Sequence, residues 1–203
     1  MPSSTVAEGA ATHRLFVAIP VPPETKAACR ELIEPVRTTR FGRAARWVHL
    51  DTLHVTLRFL GDTPEAVVPE VAQAVDAALG GRAAFEVVLS GAGSFPPSSR
   101  KIRALWLGIE RGADELSALG DALTGPLAAL GWDADPRPFR PHLTVARTDA
   151  AGIRDAALTA QALEAAAESW STGFVADRVV LYRSHLGGGP PRYEAVTEVR
   201  LAP

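Results

Sequence analysis

The stretch LHVTLRFLG, Leu53 to Gly61, sets His54 and Thr56 among apolar residues, and PHLTVAR, Pro141 to Arg147, does the same with His142 and Thr144. Residues two apart in a strand share a face. His54 and Thr56 therefore point one way while Val55, Leu57 and Phe59 point the other, and His142 and Thr144 stand together opposite Leu143 and Val145. On that parity Phe59 is expected in the core rather than as a base-stacking platform. Arg58 is expected on the face of His54, and Arg147 opposite His142 unless the strand ends or bulges near Ala146. One histidine–threonine pair on a strand is a common chance pattern; two copies in matching surroundings are far more specific.

The surroundings do match. LFVAI (Leu15 to Ile19), a helix and HVTL form one unit; LWLGI (Leu105 to Ile109), a helix and HLTV form another. Leu15 lies 39 residues before His54, and Leu105 lies 37 before His142. A β-α-β unit repeated at that spacing predicts two lobes related by a pseudo-two-fold axis. His54 and His142 would then meet across the groove between them, with Thr56 and Thr144 alongside.

Around these units the chain reads as alternating short strands and helices. RLFVAI (Arg14 to Ile19) is a buried strand, followed by a helix from Pro23 to Thr39 with proline suited to its first turn. Residues 40–52 form a loop, Leu53 to Leu60 a strand stopped at GDTP, and a helix runs from Thr63-Pro64 to Leu79. Ala84 to Gly91 and Ala104 to Glu110 are strands joined by a turn-rich loop. Ala113 to Gly131 is helical, with a kink or break expected at Gly125-Pro126. A helix near Leu158 to Ser169 and strands at Phe174 to Leu186 and Arg192 to Ala202 finish the chain.

Composition narrows the class. A chain of 203 residues with 47% hydrophobic and 22% charged residues fits one domain with a proper core. Residues 1–12 are expected as a flexible tail lacking the pattern of a signal peptide, and 13–203 as a single bilobal domain. No apolar run approaches the roughly 20 residues of a membrane span. Cys29 is the only cysteine, so neither an internal disulfide nor a cysteine metal cluster is available, and a half-buried helix residue is expected there rather than a catalytic thiol. These features point to the cytoplasm. A net charge of −2 argues against a protein coating nucleic acid through a global basic field, while leaving a local basic cleft open. Arg37, Arg40, Arg43 and Arg46 lead into Trp47, and could hold a single-stranded RNA end or be solvated loop charge. His13, His49 and His185 lie at element edges and are not expected to be catalytic. GGGPPRY (Gly187 to Tyr193) is a turn rather than a phosphate loop, since no helix opens there. No motif of a serine hydrolase or zinc enzyme is present.

Two imidazoles facing one cleft suit a reaction that removes one proton and delivers another. Histidine's ordinary pKa near 6.5 puts both protonation states within reach of neutrality. Threonine hydroxyls suit phosphate oxygens, where negative charge accumulates in an in-line displacement, and that scheme needs no metal.

The paired HxTx motifs, HVTL and HLTV, resemble those of the two-histidine (2H) phosphoesterase superfamily. More closely, the chain resembles the RNA 2′,3′-cyclic phosphodiesterases, also called 2′-5′ RNA ligases. RLFVAIPVP, RWV, LHVTLRFLG, LWLGI, PFRPHLTVAR and LYRSHLGGGPPRYEAV occur in family order from Arg14 onward. The resemblance implies an α+β, bilobal fold with antiparallel sheets around a central groove. It also implies hydrolysis of a 2′,3′-cyclic phosphate on RNA or a nucleotide to a 2′-phosphate without metal or cofactor, and a reverse ligation of 2′-phosphate to 5′-hydroxyl ends. His54 carries over as proton donor to the leaving 3′ oxygen, His142 as proton acceptor from water, and Thr56 and Thr144 as phosphate ligands. Arg147 matches the family's arginine five positions after the second histidine; Arg58, where related sequences often carry a small residue, is a secondary candidate. Two alternatives stay open: a 2H relative acting on a small cyclic phosphate derivative, and an RNA-end-binding module without turnover. A monomer without membrane attachment is expected.

Overall fold

The computed structural model describes residues 11–97, 101–148, 152–185, 187 and 191–203. The expected tail therefore lies largely outside the described residues, as do parts of the loop after Phe95 and of GGGPP. In chain order the elements are β1 (Thr12–Pro20), α1 (Pro23–Arg37), β2 (Arg46–Trp47), β3 (His54–Pro64), α2 (Val68–Leu79), β4 (Phe85–Phe95) and β5 (Ala104–Arg111). Then come α3 (Ala113–Ala129), β6 (Leu143–Arg147), α4 (Ile153–Ala167), β7 (Ser171–Ala176), β8 (Arg178–His185) and β9 (Arg192–Arg200).

Two antiparallel sheets result, ordered β3-β1-β8-β9 and β2-β6-β5-β4-β7. The β1-α1-β3 and β5-α3-β6 units place the two motif strands at equivalent positions, and β3 packs against β6 where the sheets meet. Each helix is amphipathic for an evident reason. On α1, Cys29, Leu32, Ile33 and Val36 are buried at helical spacing, and on α3 Leu116, Leu119, Leu123 and Leu127 are. The helices are exchanged between the lobes. α1 packs on β7 and on α4, which covers β4, whereas α3 packs on β3 and on α2, which covers β9. Among the described residues no helix is long and apolar enough to cross a membrane.

Several boundaries differ from expectation. β3 does not stop at Gly61: that glycine takes a left-handed φ of 71° at a second bulge, and the strand runs on to Pro64. α3 continues through Pro126, since Leu123 and Leu127 hold its last turns in the core. β4 extends to Phe95, whose neighbours pair with β5. α4 begins at Ile153, five residues early. The expected strand over Phe174 to Leu186 is two strands in different sheets, turned at Asp177, whose carboxylate accepts from Arg178 and Arg200 at 3.0 and 3.2 Å.

Gly93 on β4 faces Trp106 on β5, and a Cβ there would lie 2.4 Å from the indole. Gly93→Ala is expected to cost about 1–3 kcal/mol by overpacking, read as a lower urea midpoint by tryptophan fluorescence. An unchanged midpoint would mean that the indole is not fixed by this contact.

Candidate active site

Strand register decides which side chains reach the groove. Thr56 pairs with Ala18 and Arg58 with Val17, so Leu57 is an extra residue in β3. Thr144 pairs with Trp106 and Ala146 with Leu105, so Val145 is an extra residue in β6. Both motif strands bulge immediately after their threonine. Ala18 is thus the counterpart of Trp106, and 38 residues separate each from its threonine (Ala18 to Thr56, Trp106 to Thr144). The apparent offset between the repeats disappears.

A bulge reverses the parity beyond it. Arg147 therefore lies opposite Ala104, on the face shared by Trp106 and Thr144, and its charge acts on both His142 and Tyr193. Arg58 is correspondingly turned off the face of His54. Its guanidinium donates to the carbonyls of Trp132, at 3.1 Å, and Asp133. The expected core position of Phe59 is likewise overturned: the ring is 63% exposed, opposite Phe16 on the groove face, with centroids 6.1 Å apart. Phe59 occupies in β3 the place that Arg147 occupies in β6.

The histidines are anchored alike. His54 Nδ1 lies 2.7 Å from the carbonyl oxygen of Thr52, and His142 Nδ1 lies 2.6 Å from that of Arg140. A carbonyl only accepts, so each Nδ1 carries the proton and each Nε2 is the nitrogen left to exchange one. Aromatic rings fix both imidazoles. Phe16 and Tyr193 pack on His54 at 4.8 and 5.3 Å, and Phe95 and Trp106 lie 4.9 and 6.5 Å from His142. Burial pulls the pKa of His54 below its ordinary value; the Thr52 carbonyl opposes this and Lys26 adds to it. His142 is lowered in the same way, by burial first, with Arg140's carbonyl opposing and Arg147 adding. The chain's two tyrosines, Tyr182 and Tyr193, both belong to this aromatic wall. Sequence reasoning missed them, although aromatics on three neighbouring strands were a visible signal.

The other candidates lie apart. Arg37 pairs with Glu34 at the end of α1, and Trp47 donates to the carbonyl of Gly42 at 2.9 Å. Of the basic stretch, Arg46 alone enters the site strands, opposite Arg147. His13, His49 and His185 approach Glu65, Asp51 and Glu194 respectively. Cys29 is fully buried, and burial pushes its thiol up to about 12, which keeps it protonated. Among the described residues no group of three or more histidine, cysteine or acidic side chains is placed to hold a metal ion.

Residues 22–188 match the model of the 2′-5′ RNA ligase superfamily. An RNA 2′,3′-cyclic phosphodiesterase of Escherichia coli is 33% identical over 89% of this chain and 92% of its own length. Another, from Geobacillus stearothermophilus, is 31% identical over 92% of this chain, and the match spans only 56% of that relative. The structure of E. coli LigT complexed with 3′-AMP superposes with a TM-score of 0.70 at 26% identity, over 94% of this chain and 99% of that one.

Both imidazoles hold a lowered pKa in the fold, so below the ordinary value near 6.5 the unfolded chain binds protons that the native state refuses. Stability is expected to fall as pH drops from about 6.5 through the lowered values, and the slope to flatten in a His54→Asn/His142→Asn double variant. Denaturant unfolding between pH 7 and 5 checks this; an equal slope in the variant would place the proton linkage elsewhere.

Proposed function

The chain belongs to the 2′-5′ RNA ligase superfamily, and on that footing we propose that it hydrolyses 2′,3′-cyclic phosphate ends of RNA or nucleotides to 2′-phosphates. The observation that carries this reading is the matched pair of Nδ1 anchors, which leaves the Nε2 atom of each motif histidine for proton transfer. Similarity to proteins named RNA 2′,3′-cyclic phosphodiesterase supports the substrate class.

Water attacks phosphorus while His142 Nε2 takes its proton, the bond from phosphorus to the 3′ oxygen breaks, and protonated His54 Nε2 delivers a proton to that oxygen. Thr56 and Thr144 donate hydroxyl hydrogen bonds to the non-bridging oxygens, and Arg147 adds a cation beside them. A 5′-hydroxyl in place of water, with the same proton roles, would leave phosphorus joined to the 2′ and 5′ oxygens and give the 2′-5′ ligation. Every group in this scheme comes from the chain itself, so activity should persist in a chelator.

Alanine at His54 or His142 is expected to lower kcat by about 10²–10⁴-fold with product binding retained, and alanine at Thr56 or Thr144 by about 10²-fold. Assays on a 2′,3′-cyclic oligonucleotide with EDTA check both. Turnover that survives either histidine change would sink the paired-proton mechanism, and binding without any wild-type turnover would favour an RNA-end-binding module. Turnover of cyclic mononucleotide derivatives alone would point instead to a small-molecule enzyme.

The pH profile of kcat/KM reports the free enzyme, in which both imidazoles are lowered. A bell with its maximum on the acid side of 6.5 is expected. The kcat profile should shift upward, because a bound phosphate anion favours imidazolium. A monotonic rise with pH would contradict one acid and one base.

A further inference from the structure

A cavity of about 200 Å³ opens beside His54, walled by Pro20, Lys26, Thr52, Tyr182 and Tyr193. Two phenol rings, a proline and the imidazole edge give it mostly flat walls, and its volume suits a sugar ring better than a longer segment of nucleic acid. Lys26 is the exception in that wall. It projects from α1, and its ammonium donates to the carbonyl of Asp51 at 2.8 Å. Among the described residues it meets no carboxylate. Asp51 also lines the cavity, but its carboxylate approaches His49 at 3.5 Å. Lys26 is one of only two lysines in a chain whose other cations, on the same strands and helices, include Arg37, Arg178 and Arg183 paired with glutamates.

An imidazole and an ammonium lining one sugar-sized space suit a ligand that carries two anionic groups on one ring. The proposed reaction supplies the first anion, the phosphate on the 2′,3′ edge at His54. The second anion on a ribose within RNA is the phosphate on its 5′ oxygen, on the opposite side of the ring. We infer that this cavity holds the ribose of the terminal nucleotide and that Lys26 binds the 5′ phosphodiester joining it to the rest of the RNA. The inference rests on the reaction class proposed above and narrows it: the preferred substrate is an RNA end rather than a lone nucleoside cyclic phosphate. A lysine serves here as a point charge tolerant of either phosphate oxygen, so no sequence preference follows.

Product binding tests the subsite without relying on turnover. By titration calorimetry the wild-type chain should bind adenosine 2′,5′-bisphosphate at least about tenfold more tightly than adenosine 2′-phosphate. A dinucleotide ending in a 2′-phosphate should keep that gain. Lys26→Gln, which retains a donor for the Asp51 carbonyl, should bring the ratio close to one, and Lys26→Arg should restore most of it. Equal wild-type affinities, a ratio that survives in Lys26→Gln, or a gain confined to the bisphosphate would each overturn the assignment. A chain that keeps the ratio yet never turns over a cyclic phosphate would refute the reaction and not the subsite.

Discussion

Directly after its threonine, each motif strand carries a residue that its neighbour has no room to pair. Side chains in a strand alternate with a period of two, so one extra residue exchanges the faces of everything beyond it. Leu57 and Val145 stay in the core on the near side of the exchange. Beyond it, Arg147 and Phe59 emerge into the groove while Arg58 leaves it. Without the paired bulges the groove would have the same histidines and threonines but no cation beside His142, and Arg58 would stand where Phe59 now lies.

Around this register the two halves are alike in framework and unlike in charge. Both imidazoles are tied by Nδ1 to the carbonyl two residues upstream, and both are pressed by aromatic rings. A common anchor gives each ring the same tautomer through a neutral carbonyl. The asymmetry arises after the bulges: the half bearing His142 gains a guanidinium, whereas the half bearing His54 gains an apolar ring and, from α1, an ammonium. The two imidazoles therefore sit in different electrostatic surroundings, because their neighbours differ although their anchors do not.

The sequence made much of this legible. The repeated pattern placed both histidines and both threonines on strands of matching units, since local periodicity depends on the chain alone. What it could not supply was pairing register. Whether Arg147 or Arg58 reaches the groove depends on which residue of β1 or β5 lies opposite, a contact between segments some 40 residues apart in the chain. The same holds at Asp177, where a continuous β-forming run is divided because two sheets compete for its halves. Phe59 failed for the same reason as Arg58, the two being consecutive residues past one bulge.

The exchanged helices carry a different consequence. Because α1 leaves the first sheet to cover part of the second, and α3 does the reverse, each half buries its apolar surface only in the presence of the other. Neither is a domain that could have been joined to its twin by simple fusion and still work as a separable module. The fold behaves as an interlocked pair, so melting should proceed as one cooperative event, and the distance between the two motif strands is set by the whole core rather than by a hinge.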